Sequence, residues 1–152
     1  MKRPCITRPA RWPAYKRIPH FIPVPVRNRR DGWTPERQAW FIAALAETGC
    51  VATAARRAGM ARETAYRLRR KMGAESFAHA WDAVLLLRAG GTPPVRKVTP
   101  QELWIHAEYG PITFRLWRGK VRSITRQPSD TALLRLVASY GRSTRSIGAS
   151  WR

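Results

Sequence analysis

From position 34 onward, apolar residues recur three and four apart in blocks separated by glycine, proline and short polar breaks, the pattern of a mainly helical chain. Thr34-Pro35 opens the first block, an N-cap followed by a proline suited to the first helical turn. Trp40, Phe41, Ala44 and Leu45 then form an apolar face as far as Glu47, and Trp33 is expected to staple the helix start near Ala39. Residues 51–58 and 62–71 read as two short helices joined by Gly59-Met60-Ala61. Small Ala54, Ala55 and Ala58 allow close helix approach, and Gly59 stands where a chain leaving a helix needs a positive φ. Ala65, Leu68 and Met72 give the second of these helices one apolar face. A fourth helix over 75–88 carries Phe77, Trp81, Val84 and Leu85 as its stripe; Leu86 and Leu87 fall outside it, to widen the core face or to meet a partner subunit.

Ala89 to Pro94 breaks this helix and begins a linker over 90–98. Thr99-Pro100-Gln101-Glu102 is a capping box with proline at the first helical position, predicting a short helix to Glu108. Residues 112–117 alternate apolar with polar, 118–120 form a turn, and 121–126 return, which predicts a β-hairpin. A lone hairpin is marginal in water. Its expected support is the last helix, capped by Ser129, ended at Gly141, with Leu133, Leu134, Leu136, Val137 and Tyr140 apolar.

Charge changes the picture most. The 152 residues include 29 Lys or Arg and 9 Asp or Glu, a formal net charge of +20, which favours a polyanionic partner. Residues 1–30 hold six of the twelve prolines and nine of the cations with no acid, and are expected to form a largely disordered, extended basic arm. Its Trp12, Tyr15 and Phe21 either join the cations on a nucleic acid or pack loosely on the folded part. Ile22, Val24 and Val26 alternate with proline and suit an apolar groove. Residues 142–152, rich in Ser, Gly and Arg, are expected to form a disordered basic tail. Cys5 and Cys50 show no metal spacing, and in a reducing cytosol both are expected as thiols. No apolar run approaches the ~20 residues of a membrane span, and no signal peptide is seen.

The run TGCVATAARRAGMARETAYRLRR resembles the homeodomain-like helix-turn-helix of small bacterial DNA-binding proteins, among them phage small terminase subunits and the DNA-binding parts of transposases and resolvases. Ala55, Gly59, Met60, Ala65 and Leu68 carry the likeness. Ala61 and Cys50 depart from it, standing where a hydroxyl cap is common. The resemblance implies a mainly α, homeodomain-like domain over 31–89; the small α+β appendage expected over 99–141 from the pattern above lies outside it. It also implies a recognition helix in the DNA major groove. On that helix Arg62, Glu63, Tyr66, Arg67 and Arg70 would reach bases. Arg56, Arg57, Arg69, Lys71, Arg27, Arg29 and Arg30 would meet phosphates. One such domain contacts few base pairs, so a homo-oligomer on double-stranded DNA is expected. Cations at Arg115, Lys120, Arg122 and Arg126 on the hairpin either add phosphate contacts or guard strand edges against pairing.

Enzymatic chemistry is not legible. The nine acids are dispersed rather than clustered for metal ions, no phosphate-cradling glycine loop is present, and no nucleophile has the neighbours it needs. The chain thus reads as a non-enzymatic cytoplasmic, nucleoid-associated protein without metal, cofactor, membrane or small-molecule partner. It would be a transcriptional regulator or a terminase-like adaptor. The alternative is a structural protein binding DNA or RNA non-specifically through bulk charge. An Ala-rich helical hairpin packed as part of a plain bundle is the reading without function.

Overall fold

The computed structural model describes residues 17–27 and 29–148, the last six as backbone only. Six helices and one hairpin follow in the order α1 (Pro35–Thr48), α2 (Val51–Arg57), α3 (Arg62–Arg69), α4 (Glu75–Arg88), α5 (Pro100–Glu108), β1 (Ile112–Trp117), β2 (Lys120–Arg126) and α6 (Asp130–Gly148). The caps form as their residue types predict. Thr34 accepts from the Arg37 amide at the start of α1, and Thr99 and Glu102 make both halves of a capping box on α5. Arg118 and Gly119, with φ of 51° and 77°, form the tight turn between the strands; paired positive φ values match the right-handed strand twist.

Helices α1 to α4 close around Phe41, Ile42, Leu45, Phe77, Trp81 and Val84, all fully or almost fully buried. Phe41 lies 4.7 Å from Trp81 and 6.0 Å from Phe77, ring centre to ring centre. Trp33 is buried edge-on to Phe41, so it closes the start of α1 against an aromatic ring. Trp40 and Met72, expected on the apolar faces, instead stand 56% and 90% exposed. Trp40 lies on the far side of α1 from the buried Gln38, and Met72 lies beyond the end of α3. Of the two leucines outside the α4 stripe, Leu87 is buried and Leu86 is 40% exposed.

The largest departure from the sequence reading is the second half of the basic arm. Residues 17–27 are an extended strap, with Ile18, Phe21, Ile22 and Val24 buried in the main core. Burial of the proline-spaced apolar residues outweighs the entropy lost in ordering the segment. Phe21 exchanges both backbone hydrogen bonds with Ile112 at the start of β1, and its ring meets Phe77 at 5.6 Å and Phe114 at 6.1 Å. The Gln38 amide, wholly buried on α1, accepts from the Val24 amide at 2.7 Å and donates to the Val24 and Trp33 carbonyls at 3.1 and 3.0 Å. The Ser76 hydroxyl accepts from the Ile22 amide at 3.0 Å. Residues 1–16 of the arm lie outside the described residues.

The hairpin also docks elsewhere than expected. It packs on α1 and the strap, with the Val121 amide donating to the Glu47 carboxylate at 3.1 Å, while α6 packs on α5. Helix α6 runs on past Gly141 to Gly148, into the stretch read as tail. Gly49 ends α1 in the left-handed region at φ 67°, and a Cβ there would come within 2.5 Å of Arg88 Nε. The Arg88 guanidinium donates to the Ala46 and Glu47 carbonyls at that helix end, and burial pushes its pKa down.

These contacts can be tested by stability measurements. Gln38→Leu keeps the volume but strands the Val24 amide and two buried carbonyls, so it should lower unfolding free energy by on the order of 3 kcal/mol in urea denaturation. His20 and His106 meet edge-on at 5.6 Å between strap and α5. Burial, then His79, lowers the His20 pKa; burial, then His20, lowers that of His106. The unfolded chain therefore binds more protons than the folded one as pH falls below 6.5, the ordinary histidine value. The melting temperature should drop between pH 7.5 and 5.5, and the double change His20→Gln, His106→Gln should flatten that dependence.

Candidate nucleic-acid interface

Helices α2 and α3 meet across Gly59, whose φ of 70° lets the chain turn sharply after α2. Ala54, Ala55 and Ala58 are buried on one side of the turn, Ala65 and Leu68 on the other, as the small-residue pattern predicts. Neither helix start has a side-chain cap: Cys50 and Ala61 make no capping hydrogen bond. Cys50 is disulfide-bonded rather than a thiol, which corrects the expectation drawn from its surroundings. The chain's other cysteine, Cys5, lies outside the described residues.

With Ala65 and Leu68 turned inward, α3 shows Arg62, Glu63, Tyr66 and Arg67 outward, and Arg70 and Lys71 follow at its end; all six are exposed. Behind them, α4 builds a floor. Tyr66 lies 5.4 Å from Trp81, ring to ring, and the Arg69 guanidinium sits 5.3 Å above the same indole. Asp82, next on α4, accepts two hydrogen bonds from Arg69 at 2.7 and 2.9 Å. One guanidinium nitrogen donates to both Asp82 oxygens, and with the cation–π contact this holds the group against the protein. The cation read as a phosphate contact is thus engaged inside the fold.

Arg57 pairs with Glu47 at 2.9 Å but keeps half of its side chain in water, and Arg56 is exposed as well. Arg62 makes a loose 3.4 Å contact with its neighbour Glu63, both largely open to water, a pairing worth little. Among the described residues Arg67, Arg70 and Lys71 make no ion pair, and neither do Arg27, Arg29 and Arg30. Arg29 and Arg30 follow the strap and, with Arg62, Arg67, Arg70 and Lys71, border an open cleft of about 1240 Å³ along α3. No hairpin residue lines this cleft, so the outward face of α3 is not covered by the C-terminal elements. Arg29 and Arg30 lie between the strap and α1, in a turn closed by the Gly32 amide donating to the Arg29 carbonyl at 2.9 Å.

The hairpin cations Arg115, Lys120, Arg122 and Arg126 are all exposed, and Arg126 also donates to the Gly110 carbonyl at 3.1 Å and lies 5.6 Å from the Tyr109 ring. Among the described residues no group of three His, Cys, Asp or Glu could hold a metal ion, and no helix is long and apolar enough to cross a membrane. No known protein family, curated protein or solved structure matches the chain.

Nothing lies within 4 Å of a Cβ placed on Gly59, so only backbone conformation demands glycine there. Gly59→Val should cost about 1–2 kcal/mol in thermal or urea unfolding, and Gly59→Asn clearly less, because asparagine tolerates the left-handed region.

Proposed function

We propose that the chain is a sequence-recognising DNA-binding protein whose α3 enters the major groove as the second helix of a homeodomain-like helix-turn-helix. The observation that carries this reading is the outward row Arg62, Glu63, Tyr66, Arg67, Arg70 on a short helix whose inward residues are buried, in a chain of charge +20. A groove-reading helix needs a rigid base and side chains uncommitted within the protein. The Trp81–Asp82 floor supplies the first and Arg67 and Arg70 the second.

Roles divide by what each side chain is free to do. Arg67 and Arg70 suit guanine, where a planar fork meets two acceptors at once. Glu63 suits a cytosine amino group, with Arg62 released to base or phosphate when the loose pair parts. Tyr66, held against Trp81, offers a ring edge and hydroxyl. Lys71, Arg56, Arg29 and Arg30 suit phosphates, and each such contact adds about 0.9 to the salt slope. Arg69 serves first as a brace between α3 and α4. In that role it rests on Asp82 and contributes less to phosphate binding than its charge suggests.

Selection of duplexes from a random pool, followed by binding at several salt concentrations, tests the reading. A preferred sequence should emerge. Arg67→Ala should then lose about 1–3 kcal/mol of discrimination at one position with little change in salt slope. Asp82→Asn should free Arg69, steepening the salt slope by about one while leaving base preference in place. A pool that yields no preferred sequence would instead favour coating of nucleic acid by bulk charge.

A further inference from the structure

Away from α3, a second basic cavity of about 640 Å³ lies where the strap, the linker, α5 and α6 meet. The strap brings His20 to it, the linker Arg96 and Lys97, α5 His106 and α6 Arg135; among the described residues no acid lines it. Glu102, on the same helix as His106, is taken up by Arg96, which binds it bidentately. Helix α6 packs on α5 through Ala132 and Leu136 and leaves Leu133, Leu134 and Val137 exposed. Its start reaches the cavity with Ser129 and Thr131, and the start of a helix favours negative charge.

His106 sets this cavity apart from an ordinary basic surface. The residue is nine-tenths buried, yet among the described residues neither of its ring nitrogens has a hydrogen-bond partner. Its ring meets His20 edge-on at 5.6 Å, which satisfies no donor or acceptor. Buried polar groups are nearly always hydrogen-bonded, so a bare imidazole lining a cavity marks a place for a ligand. Burial first, then His20 and Arg96, push the His106 pKa down against the pull of Glu102; burial, then His79, lowers that of His20. An anion in the cavity would reverse both shifts, because a negative charge favours the imidazolium, which donates from both nitrogens.

We propose that this cavity binds the phosphate of a small organic phosphate monoester, with His106 as the buried contact and His20, Lys97 and Arg135 around it. The volume falls within the ~300–1,000 Å³ of small-molecule sites, more than a phosphate alone would fill. Val98, Leu103 and Ala132 supply an apolar wall for the organic part. A duplex carries its phosphodiesters on a broad double-stranded backbone that cannot be lowered onto a nine-tenths-buried imidazole, whereas a terminal phosphate can enter. The assignment goes beyond the DNA reading and does not rest on it.

The full chain, freed of nucleic acid, is titrated with phenyl phosphate, inorganic phosphate and a short DNA duplex while NMR follows the ring signals of its three histidines. Phenyl phosphate should shift the His20 and His106 signals saturably, raise both pKa values, and bind more tightly than inorganic phosphate. Arg135→Gln and Lys97→Gln should each weaken it about tenfold, the loss of one charge-assisted hydrogen bond. Arg122→Gln removes the same charge from the hairpin, outside the cavity, and should leave the affinity unchanged. Arg135→Gln should also leave any preferred duplex sequence in place, so the two readings fail separately. Three results overturn the proposal: no saturable shift, equal losses in all three variants, or a duplex that moves the His106 signal where phenyl phosphate does not.

Discussion

The buried Gln38 amide is the contact on which the arrangement depends. A primary amide with no water nearby must find its partners inside the protein, and here all of them are backbone groups of residues that precede α1. It therefore works as a clasp, fixing the strap in one register against the helix. Once Val24 is held, Ile18, Phe21 and Ile22 fall into the core, and the backbone of Phe21 is left in line with Ile112. The N-terminal strap thereby links the helical core to the hairpin. A proline-rich segment is well suited to such a strap, because it is already extended and its lost amides are ones that no sheet neighbour needs.

The second constraint is how few acids serve so many cations. Glu47 accepts from Arg57 and also from the Val121 amide, so one carboxylate ties α2 and the hairpin to the end of α1. Asp82 accepts from Arg69 and ties α3 to α4. Glu102 binds Arg96 bidentately; although burial pushes its pKa up, the Arg96 and Thr99 hydrogen bonds and the Arg96 charge bring it below the usual value. Glu47 and Asp82 each join separate elements, and Glu102 ties α5 to the linker before it. What remains unpaired along α3 is a run of arginines and one lysine on the outer side, with Arg29 and Arg30 alongside.

Local rules were enough for much of this. Thr34-Pro35, the Thr99–Glu102 capping box, Gly59 and the alternation over 112–117 each act within a few residues, through caps, backbone freedom and side-chain period. Those signals marked every helix and both strands, and the inward and outward faces of α3 followed from Ala65 and Leu68. Helix ends and core edges were less legible. Trp40 belongs to the apolar period of α1, yet it is 56% exposed.

The sequence by itself determined the element order, the glycine turn between α2 and α3, the charge of the chain and which arginines lie on one side of a helix, because period and conformational preference are local properties. Only the tertiary structure decided which of those arginines are engaged by Asp82 and Glu47. It also decided that the strap enters the core, that the hairpin sits on α1, and that α6 keeps an apolar face in water. These outcomes depend on contacts between residues 10 to 91 positions apart, from the Arg57–Glu47 pair to the Phe21–Ile112 bridge, and no short window of sequence contains both partners.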